Sequence, residues 1–347
     1  MTPASVHAPS SRATDLPDLV TLARTLIDMD STTGHERETG RWLAACLRTL
    51  DWHVTEQSVD GERFNVFASL ARAPRLVFST HYDCVPPFFP SRVEAGRIHG
   101  RGACDAKGIL AAQVLAAERL RRAGTRDVAL LFLVGEERGS DGAQAANRDS
   151  PHPDWFVNGE PTDNRLGLAT RGVLRVRLVA RGRAAHSSYP ERGESAIEKL
   201  LDALMRLRTI PLPEAPGAGR THYTIGLISG GVAPNVVPAH AEAEVLFRTV
   251  GDAGELRALL GSLQSLVQID EVLEVPPVRM ATVEGFETAV FPYTTDIPLL
   301  TNWGRPLLFG PGSVLVAHTD DEHVEIAALE RAVDDYVRLA HALLEGT

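Results

Sequence analysis

Apolar and polar positions alternate with two different periods along this chain. Over 16–29, Leu19, Leu22, Leu26 and Ile27 recur at helical spacing, and over 36–50 Trp42, Leu43, Cys46 and Leu47 share one face. Ser31-Thr32-Thr33-Gly34 separates these two predicted helices. Short strands are expected over 54–57 and 64–70, around the turn at Asp60-Gly61, and again over 75–79 and 155–157. The run 128–134 is apolar throughout, which suits a parallel strand buried on both faces. A helix is expected over 107–123. The segment 85–90, Val-Pro-Pro-Phe-Phe-Pro, can only be a loop, because clustered prolines continue neither ladder.

The pattern changes near Gly172. Over 173–180 apolar residues alternate with arginine, as in a strand with one wet face. A helix over 195–208, strands over 223–228 and 241–248, a helix over 253–267 and a strand over 271–278 follow. This β-α-β-β-α-β order is that of the ferredoxin-like split unit. Beyond Thr282 the chain returns to short strands and loops and closes on a helix over 324–344. The expected fold is therefore α/β. A mixed, mostly parallel sheet domain over 14–171 and 285–347 is interrupted by an α+β insertion over 172–284. Residues 1–13, rich in Pro, Ser and Ala, are expected to be a disordered tail and not a signal peptide.

Bulk properties narrow the function. At 347 residues the chain suits about two domains. A net charge of −10 argues against nucleic acid or an anionic membrane as the main partner. No apolar run approaches the ~18 residues of a membrane span. Cys46, Cys84 and Cys104 are sparse and odd in number, which suits a reducing, cytoplasmic setting. They lack the paired spacing typical of zinc thiolate sites.

The chemistry sits where apolar runs end. Ser79-Thr80-His81-Tyr82-Asp83, Gly135-Glu136-Glu137-Arg138-Gly139 and Asn158-Gly159-Glu160-Pro161-Thr162 each follow a predicted strand. Open α/β sheets bind ligands at that edge. Asp105 lies in the glycine-flanked loop 100–108 before a helix, and His318 comes late in the chain. Taken singly, Asp105 could be a helix N-cap and Glu136-Glu137 a solvated helix start. Taken together, the residues form a donor set for two divalent ions, with a carboxylate shared between them. Asp105 is the expected bridge, His81 and Glu160 would complete one shell, and Glu137 and His318 the other. Asp83 could accept the second ring N–H of His81. Neighbouring side chains point apart, so Glu137 can ligate while Glu136 serves as a general base.

These motifs resemble the dinuclear-zinc amidohydrolase and peptidase family that includes acetylornithine deacetylase, succinyl-diaminopimelate desuccinylase, aminoacylase and glutamate carboxypeptidase. Gly182-Arg-Ala-Ala-His186-Ser-Ser-Tyr-Pro, Asn235-Val-Val-Pro and Ala317-His318-Thr are similar to its later motifs, so the likeness runs from about Leu16 to the C-terminus. The resemblance implies two metal ions per chain, zinc first with cobalt or manganese as alternatives. It implies His81, Asp105, Glu137, Glu160 and His318 as ligands and Glu136 as base. It implies a homodimer through the inserted domain, in which His186, with Asn235 beside it, serves the partner's site. It implies that Arg248 grips a substrate carboxylate and that the peptide bond after Asp105 is cis. The length of Glu160 is similar to the acylase and carboxypeptidase members. The expected reaction is deacylation of an N-acyl amino acid, most like acetylornithine deacetylase. The alternatives are a desuccinylase, a carboxypeptidase or dipeptidase, and a metal-binding protein without catalysis. Segment 85–90 departs from the family pattern and is expected at the pocket mouth.

Overall fold

The computed structural model describes residues 16–215 and 219–345; the expected tail over 1–13 lies outside them. In chain order the main elements are α1 (Leu19–Ile27), α2 (Arg37–Thr49), β1 (His53–Asp60), β2 (Arg63–Ser69), β3 (Leu76–His81), α3 (Lys107–Arg122), β4 (Val128–Leu133), α4 (Asp141–Arg148) and β5 (Trp155–Asn158). Then come β6 (Gly172–Arg181), α5 (Ala196–Leu207), β7 (His222–Gly230), β8 (His240–Thr249), α6 (Ala253–Leu260), β9 (Gln268–Val275), β10 (Arg305–Leu308) and α7 (Ile326–Glu345). They form two compact units. The first runs up to Leu168 and takes in Met280–Ala289 and the chain from Thr295 on; the second is Ala169–Arg279 with Val290–Thr294.

The first unit is a mixed α/β fold on a six-stranded sheet ordered β1-β2-β4-β3-β5-β10. β1, β2 and β4 pair antiparallel, and β4, β3, β5 and β10 run parallel. Every residue of β3 and β4 is buried, as expected where helices cover both faces of a parallel sheet. α3 packs against α1 and α7, and α2 lies on β1 and β2. Leu22, Leu26, Phe78, Leu110, Phe132, Leu329 and Tyr336 belong to one continuous core. The parallel strands share a direction, so their C-terminal ends lie along one edge. The loops carrying Asp83, Glu136, Glu137 and Glu160 leave from that edge.

The second unit has an antiparallel sheet ordered β7-β8-β6-β9. Leu174, Val176, Leu178 and Ala180 of β6 join Leu200, Leu204 and Leu207 of α5 and Leu256 and Leu260 of α6 in a second core. Between them Arg175 is half-buried and Arg177 exposed. The arginine alternation thus marks the sheet's open face. Among the described residues no helix is long and apolar enough to cross a membrane.

Candidate metal centre

Asp105 is buried at 8 % exposure, in a loop that glycine makes possible. Gly102 has φ 86°, in the left-handed region, and a side chain there would strike Cys84 Sγ. The peptide bond between Asp105 and Ala106 is cis. The two carboxylate oxygens of Asp105 face different partners. His81 Nε2 lies 3.0 Å from Oδ1, and His318 Nε2 lies 3.3 Å from Oδ2. His318 Nε2 also lies 2.8 Å from Glu137 Oε1. Donor atoms of His81, Asp105 and Glu137 all fall within 4.8 Å of one another. His318 has φ 63°. For a non-glycine residue this conformation costs on the order of 1–3 kcal/mol and persists where surrounding structure imposes it.

The electrostatics are those of a cation site. Burial pushes the carboxyls of Glu160 and Glu136 well above the usual range, and neighbouring acids add to the effect. Burial also raises Glu137, against the pull of His318. For Asp105 burial acts upward too, but the bonds from His318 and His81 outweigh it and hold the carboxyl below its ordinary value. His318 is raised to about 10 by its bonds to Asp105 and Glu137. Glu160 is 4 % exposed, and its Oε1 has no hydrogen-bond partner among the described residues. An anionic oxygen buried without a donor is costly, and a divalent cation among these acids would remove that cost. The donor set of imidazole nitrogen and carboxylate oxygen fits zinc, cobalt or manganese.

Asp83 does more than orient His81. The nearer acceptor to His81 Nδ1 is the Asp83 carbonyl oxygen at 3.1 Å, with carboxylate Oδ1 at 3.4 Å. The Asp83 carboxylate mainly accepts from the backbone N–H of Glu136 (3.1 Å), the N–H of Glu137 (3.2 Å) and the Thr33 hydroxyl (2.8 Å). A tight turn of two consecutive acids exposes those N–H groups, and a buried anion two residues after His81 satisfies them. The turn begins at Gly135, with φ 73°, where a side chain would collide with Asp141. Beneath it Glu36, fully buried, pairs with Arg63 at 2.9 Å, and Arg63 pairs with Asp141 at 2.6 Å. Neither Glu36 nor Glu322, which lines the Asp105 loop, was singled out by the motifs. The only sequence signal for Glu322 is its place four residues after His318, and Glu36 lies far from every ligand segment.

The cysteines lie outside this donor group. Burial pushes the Cys84 thiol up to about 12, and Cys104 Sγ donates to the Ser313 carbonyl at 3.3 Å. A second trio, His99, Asp321 and His323, also brings donor atoms within 4.8 Å. There Arg92 Nη2 sits 3.3 Å from His99 Nδ1, a fixed positive charge where a cation would have to lie.

His186, Asn235 and Arg248 belong to the second unit. His186 and Asn235 are both exposed and come together there. His186 bridges Val236, and the Ser187 N–H donates to the Asn235 carbonyl at 3.0 Å. Arg248, near the end of β8, stands opposite His222 and Val173. It is half-buried, and its Nη1 has no partner among the described residues.

Residues 77–342 match the model of the peptidase family M20/M25/M40. A probable carboxypeptidase of Aspergillus clavatus is 38% identical, covering 95% of this chain and 83% of its own. A peptidase M20 domain-containing protein of Schizosaccharomyces pombe is 35% identical, covering 93% and 84%. Among solved structures, a tripeptidase of Staphylococcus aureus has a TM-score of 0.78 at 19% identity, covering 94% of this chain and 97% of its own. An M20 family metallo-carboxypeptidase of Sulfolobus solfataricus has a TM-score of 0.72 at 18% identity, covering 94% and 99%. A family match over most of the chain, with these relatives, shows a hydrolase: the chain belongs to peptidase family M20/M25/M40.

Proposed function

We propose that the chain is a metal-dependent carboxypeptidase, cleaving the amide bond next to a residue with a free carboxylate in short peptides. The observation that carries hydrolysis is the Asp105 carboxylate, whose two oxygens are divided between His81 and His318. Two divalent ions held by His81, Asp105, Glu137, Glu160 and His318 would polarise the scissile carbonyl and acidify water. The remaining steps belong to the chain. Glu136 takes the proton of the attacking water and returns it to the leaving amine. Burial favours that role, because a raised carboxyl pKa brings the base closer to neutral pH. Asp83 holds Glu136 and Glu137 in the turn that sends their side chains to different tasks.

One feature favours carboxypeptidase over an acetylornithine-type deacetylase. Relatives that align with nearly the whole chain carry the carboxypeptidase name. Arg248 Nη1 is buried without a partner among the described residues, and the free α-carboxylate that both substrate classes carry would satisfy it with a bidentate fork. We also assign a homodimer to the second unit. Strand β7 is a sheet edge carrying Leu227 at 66 % and Ile228 at 59 % exposure, beside a groove lined by Ile197, Leu200 and Leu201. An unpaired apolar edge invites a second copy. His186 would then act on the partner's substrate oxyanion, and the unpaired cysteines suit a cytoplasmic setting.

A substrate panel tests this reading. It holds N-acyl dipeptides with free C-terminal carboxylates, the same peptides as C-terminal amides, and N-acetyl and N-succinyl ornithine, lysine and diaminopimelate. Hydrolysis of the free-carboxylate peptides is expected to exceed both other groups. Turnover confined to the N-acetyl or N-succinyl basic amino acids would return the protein to the deacylase reading.

A further inference from the structure

Glu322 is fully buried, yet it carries a carboxylate. Its Oε1 accepts three backbone N–H groups in succession along one loop: Gly102 at 3.0 Å, Cys104 at 3.2 Å and Asp105 at 3.1 Å. Its Oε2 accepts from Arg101 Nη1 at 2.6 Å, and its own carbonyl accepts from the Gly100 N–H at 3.1 Å. One side chain therefore satisfies the inside of the loop that presents Asp105. Burying an anion is expensive unless hydrogen bonds and a counter-charge meet it, and here three N–H groups and a guanidinium do so.

Arg101 extends the connection. It is 1 % exposed; its Nε donates to the Pro87 carbonyl at 3.2 Å, and its guanidinium lies 4.9 Å over the Phe89 ring. Its backbone N–H donates to the Phe89 carbonyl at 3.1 Å. Glu322 also follows His318 by four residues. It thus touches the loop of the shared ligand, lies on the segment of the last ligand, and reaches through Arg101 to the Pro- and Phe-rich loop after Asp83.

We propose that Glu322 is a positioning residue that fixes Asp105 midway between His81 and His318, with Arg101 joining that loop to segment 85–90. This rests on Asp105 being the shared metal ligand. Loss of such a supporting partner typically weakens metal binding or activity by about 10–100-fold. Glu322→Leu removes both side-chain oxygens from the loop and keeps only the backbone carbonyl that meets Gly100. Glu322→Gln keeps one oxygen that can receive the three N–H groups.

The test is Zn²⁺ affinity of the metal-free protein, measured by competition with a chromogenic chelator at a temperature where each variant is folded by circular dichroism. Glu322→Leu is expected to bind Zn²⁺ about 10–100-fold more weakly and to lose kcat with little change in KM. Glu322→Gln is expected to recover most of the affinity. A merely structural role would lower thermal stability and leave the affinity of the folded protein unchanged. Wild-type affinity in folded Glu322→Leu, or a Gln variant as weak as Leu, would overturn the proposal. Amide hydrogen exchange on metal-free wild type tests it without any variant. Slow exchange at Gly102, Cys104 and Asp105 is expected, and exchange as free as that of an open loop would contradict it. Wild-type Zn²⁺ stoichiometry separates the two levels. No bound Zn²⁺ in wild type would sink the metal site itself; two ions per chain with an unaffected Leu variant would sink only the role of Glu322.

Discussion

Replacing Glu136 by Gln isolates the proton-transfer step. The two side chains have the same shape, and the turn is held through backbone N–H groups that bond to Asp83. The substitution therefore leaves the site's geometry in place and removes a proton acceptor. Loss of a general base costs about 10²–10⁴ in kcat, which is about 3–5 kcal/mol on the barrier. Metal should stay bound, because the donor atoms that approach one another come from His81, Asp105 and Glu137. Glu137→Gln makes the contrast. Its carboxylate lies 2.8 Å from His318 Nε2, so its loss should release metal as well as activity. The assay pairs steady-state kinetics on a free-carboxylate peptide with metal content per chain for both variants. If Glu136→Gln stayed within tenfold of wild type, or if both variants lost metal to the same extent, the division of labour between the two acids would be wrong.

Three further outcomes follow. Asp296 is 1 % exposed, and burial pushes its carboxyl up to about 7 from an ordinary 3.8. Its ionised form therefore weakens the fold, by nothing below about pH 4 and by on the order of 4 kcal/mol well above 7. Urea unfolding of the metal-free protein should show Asp296→Asn gaining on wild type as pH rises, and a pH-independent difference would contradict this. Arg248→Met should raise KM by about 10–100-fold for peptides with a free carboxylate, from the loss of a hydrogen bond to a charged group, and should spare their C-terminal amides. Mixing inactive His186→Ala and Glu136→Gln chains should restore partial activity after subunit exchange, because some heterodimers regain one intact site. A fully active monomer in sedimentation would exclude that shared site.

The fold was largely legible because its signals are local. The apolar run before Glu136 suited a doubly buried strand, and every residue of β4 is buried. The arginines of β6 marked an open face, and the β-α-β-β-α-β order matches the observed sheet. Helix α4 was missed because Asp-Gly-Ala-Gln-Ala-Ala-Asn-Arg buries only Gly and Ala, which carry little hydrophobic period. The last helix begins at Ile326, two residues past its expected start, so the acids after His318 lie in a loop. Glu322 in that loop turns inward to the Asp105 loop.

His81, Glu137 and Glu160 could be read as candidate donors because each comes at the end of a parallel strand, on one edge of the sheet, whereas Asp105 and His318 come from loops. Their supports were not legible. Glu36 reaches Arg63 across 27 positions, and Glu322 reaches the Asp105 loop across more than 200. No short-range pattern encodes either pairing. Asp83 was expected to face His81, but its carboxylate is shared with two N–H groups that exist only because Glu136 and Glu137 form a tight turn.

Metal content tests the hydrolase most directly. Purified, active protein analysed by inductively coupled plasma spectrometry should carry two divalent ions per chain. Peptide cleavage should disappear with chelator and return when zinc, cobalt or manganese is restored. Full activity in protein that contains no metal would contradict the shared-carboxylate site at Asp105 and the mechanism built on it.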